Sequence, residues 1–141
     1  VYADEGLVRV GAMTDNDDQI ARTGGCHCGA VRFTARGTPK FIANCHCRDC
    51  RKATGAPFST WVGFLSEQVS WQGERSIYGS SPAVSRGYCA KCGTPLSYSG
   101  KQWAAEMHLL VGTFDEPGGL VPTEDSFSDE KLPWVRFSGE Q

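Results

Sequence analysis

Cysteine is the residue that most limits what this chain can become. Seven of its 141 residues are cysteine, in three clusters: Cys26-His27-Cys28, Cys45-His46-Cys47-Arg48-Asp49-Cys50, and Cys89-Ala90-Lys91-Cys92 followed by Gly93. At C-x-C or C-x-x-C spacing, one tight backbone turn aims two sulfurs at a point about 2.3 Å away, as tetrahedral zinc requires. Glycine after the last cysteine permits the positive φ with which such turns close. Inert buried cysteines have no reason to gather beside His, Lys and Arg, and iron–sulfur spacings differ. The clusters therefore predict thiolate metal sites, with zinc as the metal. The odd count argues separately against a disulfide framework, which would strand one thiol. No basic segment followed by an apolar run suggests export, so the expected location is cytoplasmic.

Structural zinc takes four protein ligands, whereas catalytic zinc takes three and keeps an open position, so seven sulfurs read as four plus three. Spacing allows two divisions. Cys45, Cys47 and Cys50 can converge from one compact turn, leaving Cys26, Cys28, Cys89 and Cys92 to close the other site. Alternatively, Cys47 and Cys50 join Cys89 and Cys92 in a zinc ribbon, with Cys26, Cys28 and Cys45 left over. His27 and His46 each sit between two cysteines, and in an extended segment the middle side chain points away from its neighbours. Both are read as outward or supporting residues, with His46 as fourth ligand or proton shuttle the second reading. His108 lies on an apolar stretch and is read as a core or rim residue.

The rest of the chain supplies the scaffold. Short β-type runs at 30–35, 40–43, 58–65, 68–71, 83–88, 95–98 and 106–114 are separated by Gly, Pro and Ser, a texture that predicts an all-β domain. One or two helical turns fit at 48–54, and 102–108 satisfies neither period. Residues 1–22, with an acidic polar run from Thr14 to Asp18, are read as a poorly packed arm or lone edge strand ahead of a domain over 23–137. Fourteen basic and 16 acidic side chains give a formal charge of −2, which offers no basic footprint for nucleic acid. No run approaches 18 apolar residues, so no membrane span is expected. A small-molecule partner is the expectation that remains.

Several segments together resemble the glutathione-dependent formaldehyde-activating enzymes, whose domain is shared with centromere protein V. They are Gly25-Cys26-His27-Cys28-Gly29-Ala30-Val31-Arg32-Phe33, Cys45 to Lys52 running into Gly55-Ala56-Pro57-Phe58, Tyr78-Gly79-Ser80-Ser81, Cys89 to Thr94, and Lys131-Leu132-Pro133-Trp134. The resemblance runs from about Gly24 to Trp134. It implies a mainly β fold of the Mss4-like, β-tent type, with small zinc-pinned sheets and little helix. It also implies two zinc ions per chain: a structural one on Cys26, Cys28, Cys89 and Cys92, and a catalytic-type one on Cys45, Cys47 and Cys50. The implied activity is condensation of formaldehyde with glutathione to S-hydroxymethylglutathione, a carbon–sulfur lyase reaction. One departure stands out: where the family shows a His followed by apolar residues, this chain has Asp125-Ser126-Phe127-Ser128-Asp129.

Other residues beside the cysteines could serve such chemistry. Arg48, Arg51 and Lys52 could pair with glutathione carboxylates or form the solvated face of a short helix. Phe58 and Trp61 could wall a pocket or belong to the core. The same site acting on another thiol or electrophile, and a zinc module that only binds a partner, are the alternative functional readings.

Overall fold

Apolar and β-branched residues alternate over stretches of four to seven residues between glycines and prolines, so strands form where helices lack the length to nucleate. The computed structural model describes residues 19–136. The strands are β1 (Ala21–Gly25), β2 (Arg32–Arg36), β3 (Phe41–Cys45), β4 (Ser59–Leu65), β5 (Val69–Gln72), β6 (Ser76–Ser81), β7 (Val84–Tyr88), β8 (Pro95–Gly100), β9 (Glu106–Leu110) and β10 (Glu124–Ser126), with helix α1 (Arg48–Thr54) between β3 and β4. The fold is mainly β. One sheet has the order β1-β2-β5 and the other β10-β3-β4-β9-β8-β7-β6. Pairings are antiparallel apart from β10, which runs parallel to β3.

The apolar core fills the space between the sheets. Phe33 of β2, Val62 and Phe64 of β4, Leu96 of β8 and Leu109 of β9 are almost fully enclosed. Phe33 meets Phe114 edge-on, with ring centroids 5.0 Å apart, and Trp71 at 5.5 Å. Burying side chains of this size stabilises a fold by about 1.5–3 kcal/mol each. Gly24 lies beneath this cluster, where a Cβ would strike the Phe33 ring and the backbone of Thr113.

The sequence texture misses three strands for different reasons: β1, whose Gly24-Gly25 reads as punctuation and which forms by pairing with β2, and β6 and β10. β6 is an edge strand, exposed over most of its length, so it has no buried face to impose an apolar alternation. β10 is three polar residues, Glu-Asp-Ser, and becomes a strand only because β3 offers it a ladder. The run expected over 106–114 leaves the sheet at Leu110 and turns through a 3-10 segment at Val111–Thr113. The ambiguous 102–108 stretch divides between a 3-10 turn at Lys101–Trp103 and the start of β9. β1 starts at Ala21, while most of the expected arm, including its acidic run, lies outside the described residues.

An ionic clamp ties the segment after β9 to the smaller sheet. Arg32 donates to Asp115 Oδ1 at 3.1 Å, and the Thr23 hydroxyl donates to Oδ2 at 2.7 Å. The Arg32 guanidinium, then the Thr23 hydroxyl, hold the Asp115 carboxyl at about 2, below its ordinary 3.8. A carboxyl that is more acidic in the folded state than in the unfolded one contributes stability that is complete above about pH 4 and is lost as pH falls toward about 2. Asp115→Asn is therefore expected to flatten the fall in melting temperature over that window. Identical slopes in variant and parent would show that the clamp contributes nothing.

Candidate functional site

The Cys26-His27-Cys28 and Cys89-Ala90-Lys91-Cys92 turns come from opposite sheets and meet. Cys26 and Cys28 follow β1, and Cys89 and Cys92 join β7 to β8. Gly29 N–H donates to the Cys26 carbonyl and Gly93 N–H to the Cys89 carbonyl, at 3.2 and 2.7 Å. Both glycines have positive φ, 84° and 83°, which an L side chain would resist. The four sulfurs lie within 4.8 Å of one another. Sulfurs 2.3 Å from a common tetrahedral centre stand about 3.8 Å apart, and the Cys26–Cys28 and Cys28–Cys89 separations are 3.7 and 3.8 Å. This donor set fits a thiolate-bound metal ion. Hydrogen bonds support it: Val31 N–H donates to the Cys26 sulfur at 3.3 Å. The Thr94 hydroxyl and N–H hold the Cys92 thiol down at about 5.

The second group is built within one stretch of chain. Cys45 ends β3, Cys47 is the N-cap of α1 and Cys50 lies in its first turn. Their sulfurs also fall within 4.8 Å of one another. The Cys50 N–H donates to the Cys47 sulfur at 3.3 Å, so a helix-capping bond and the sulfur cluster are one feature. Gly55, in the left-handed region at φ 72°, closes the helix after seven residues. Cys50 is held down at about 5, first by the Cys45 thiol and against burial, with help from the Trp61 side chain, Cys47 and the charge of Arg86. Sharing a proton with Cys50 pushes Cys45 up. Metal ligation needs thiolates, so loading this group would release protons.

The turn that carries these sulfurs is braced from behind. His46 is fully buried, with Nε2 3.1 Å from Asp125 Oδ1 and its ring 5.2 Å from that of Phe58. Asp125 also accepts from the Asn44 amide at 3.2 Å. The departure from the family pattern thus has a place: β10 pairs Asp125 with Asn44 and Ser126 with Cys45, setting a carboxylate against the buried histidine. Arg51 donates to the carbonyls of His46 and Glu130, at 2.8 and 2.9 Å. It braces the sulfur-bearing turn rather than extending a solvated face. His27 is exposed, and neither sulfur group includes a histidine.

A cleft of about 670 Å³ opens on the three-cysteine group and on none of the four. Its floor is one register row of the large sheet. Phe41 pairs with Gly63, Gly63 with His108, His108 with Tyr98 and Tyr98 with Arg86, across β3, β4, β9, β8 and β7. Directly opposed residues share a face, so these side chains stand together. Gly63 leaves room for the Phe41 ring, which a Cβ there would strike. Trp61 and Arg48 line the same cleft, and Trp103 and Phe127 stand exposed along it. Phe58 instead packs behind the turn, and Lys52 lines a second cleft that shares Asp49, Trp61, Ser80 and Arg86 with the first.

Lys40, Arg86, Tyr98 and Glu106 of this cleft escape the sequence reading. They gather through sheet register between residues as many as 66 positions apart. Only one signal was available: Glu106 and His108, two apart on a strand, must share a face. His108 is buried, hydrogen-bonded to Glu106 and at the cleft wall, as a rim residue should be.

The model of the family described as "glutathione-dependent formaldehyde-activating enzyme" matches residues 21–130. A Halomonas elongata protein, provisionally named as such an enzyme, is 28% identical over 130 residues, covering 84% of this chain and 82% of that protein. A crystal structure of a Rhodobacter sphaeroides protein shares the fold, with a TM-score of 0.57 at 17% identity over 74% of this chain and 99% of that one.

Proposed function

This chain belongs to the glutathione-dependent formaldehyde-activating enzyme family, and from that membership we propose that it is a zinc-dependent carbon–sulfur lyase joining glutathione to formaldehyde as S-hydroxymethylglutathione. One observation carries the reading: the two sulfur groups differ. The four-cysteine group has a full tetrahedral donor set, whereas the three-cysteine group is one donor short and forms part of a cleft wall. We assign Cys26, Cys28, Cys89 and Cys92 to a structural zinc, and Cys45, Cys47 and Cys50 to a catalytic-type zinc. Zinc on three thiolates would supply a Lewis acid that favours the thiolate form of a bound thiol at neutral pH.

The chain's own residues bind and orient. Arg48 and Arg86 present guanidinium groups suited to substrate carboxylates, while Lys40 is committed to Glu106, 2.5 Å away. Trp61, Tyr98 and Phe41 make an apolar floor that displaces water from the reacting groups. Bringing a thiol and a small aldehyde together beside the sulfur cluster removes much of the entropic barrier to a bimolecular addition. The partners are small molecules, with neither nucleic acid nor membrane, and the proposed location is the cytoplasm. Among the described residues no helix is long and apolar enough to cross a membrane.

The test is exchange NMR on formaldehyde and glutathione mixed with zinc-loaded protein. The rate of adduct formation and breakdown is expected to exceed the protein-free rate. A rate equal to that of the protein-free mixture would remove the formaldehyde reading.

A further inference from the structure

We propose that His108 is the proton-transfer residue of the cleft, taking the thiol proton at Nδ1 and returning it to the aldehyde oxygen, an inference that rests on the thiol–aldehyde reading above. Three features of the cleft floor carry it.

The first is orientation. The His108 ring lies parallel to Tyr98, with centroids 5.5 Å apart and an interplanar angle of 14°, and meets Phe41 edge-on at 4.8 Å and 88°. Tyr98 from the adjoining β8 and Phe41 from β3, reaching across Gly63 of β4, hold the imidazole in one plane. The second is the tautomer. His108 Nε2 lies 2.8 Å from Glu106 Oε1, and Lys40 Nζ lies 2.5 Å from Oε2. Lys40, then His108, hold the Glu106 carboxyl below its ordinary value, so Glu106 is an ionised acceptor and Nε2 carries the proton. The neutral ring then has its lone pair on Nδ1. Among the described residues, the bond to Glu106 is the one hydrogen bond to the ring. Burial pushes His108 below its ordinary 6.5, against the pull of Glu106, which keeps the ring neutral near pH 7, with its Nδ1 lone pair free to take a proton.

The third is cost. An apolar side chain between Phe41 and Tyr98 would pack the floor without desolvating anything. Instead, Glu106 and His108 are 12% and 10% exposed at the side chain, and burying a charged, hydrogen-bonded set usually costs more than apolar packing of the same volume. An oriented imidazole with a carboxylate behind one nitrogen and a lone pair on the other is the arrangement that general-base catalysis uses. His108 lines the same cleft as Cys45, Cys47 and Cys50.

The step balances without a further reactant. The sulfur lone pair forms the S–C bond, the C=O π pair moves to oxygen, and one proton passes from sulfur to oxygen through Nδ1. Glu106 acts as a positioning residue by fixing the tautomer, and Lys40 by holding Glu106. The charged or titratable groups around His108 are Glu106 on β9, Lys40 before β3, Tyr98 on β8, Arg86 beyond it on β7 and Cys50 of α1, while β4 presents Gly63.

Steady-state kinetics and imidazole ¹⁵N NMR test the role together. His108→Gln is expected to lower kcat about 100-fold or more, to leave KM within about threefold, and to remove the acid limb of the rate–pH profile. Glu106→Gln is expected to keep that limb but move it to lower pH, because the Glu106 charge raises the His108 value. A merely structural bond would alter stability without moving the limb. NMR of the unmodified protein at pH 7.5, with and without zinc, is expected to show His108 protonated at Nε2 only. A kcat for His108→Gln within about twofold of the parent, or an Nδ1-protonated ring, overturns the role and leaves the functional reading standing. Absence of turnover in the unmodified protein removes both.

Discussion

Replacing the exposed Cys92 by serine is expected to cost the chain its folded state. At an ordinary exposed position such a change alters stability by at most about 0.5 kcal/mol. Cys92, however, is one of four sulfurs joining turns from two different sheets, and a structural zinc contributes on the order of 10 kcal/mol of apparent binding free energy to folding. That is comparable to the entire stability of a typical domain, about 5–15 kcal/mol. Losing a quarter of the donor set should therefore register as loss of folded protein on expression, and as loss of near-UV circular dichroism in whatever is recovered. Chelation of the parent should reproduce it. A Cys92→Ser protein that melts within a degree or two of the parent would show that this group holds no structural metal.

Cys50→Ser is expected to have the opposite profile. Cys45, Cys47 and Cys50 belong to one short stretch braced by Asp125, Arg51 and the capping of α1, so the fold does not depend on them to join distant segments. On the proposed assignment, the variant should retain its sheets and bind one zinc ion where the parent binds two. Adduct formation should fall toward the protein-free rate by a factor of about 100 or more, since disturbing even the partners of metal ligands costs 10–100-fold. Metal analysis together with turnover checks this. Full activity with one zinc per chain would move the chemistry away from this cleft, and unfolding on the scale of Cys92→Ser would contradict the division of labour between the groups.

How much of this was legible depended on how local each feature is. The helix at Arg48–Thr54 and the strands β4, β5, β7 and β8 followed from short-range alternation and punctuation. β6 did not, because its exposed face carries no apolar period, and β10 did not, because Glu124-Asp125-Ser126 has no strand preference until β3 supplies hydrogen bonds. Among cleft residues, Cys45, Cys47 and Cys50 were visible through their spacing. Lys40, Tyr98 and Arg86 were not, since each reaches the cleft through strand register. Arg51 was visible but misassigned between substrate and solvent, because its acceptors include the carbonyl of Glu130, 79 positions away.

The sequence by itself determined the chemistry of the donors. A C-x-x-C-G turn is a local object, and its spacing and glycine suffice to aim two thiolates at one soft metal. By spacing alone, though, the seven sulfurs could be divided in two ways. Only the tertiary structure decided which sulfurs meet, because Cys28 and Cys89 are 61 positions apart and come within 3.8 Å through the packing of one sheet on another. The same holds for the cleft. Its floor is a row of residues chosen by the hydrogen-bond register of five strands, and a shift of one residue in any of them would turn that strand's contribution to the opposite face.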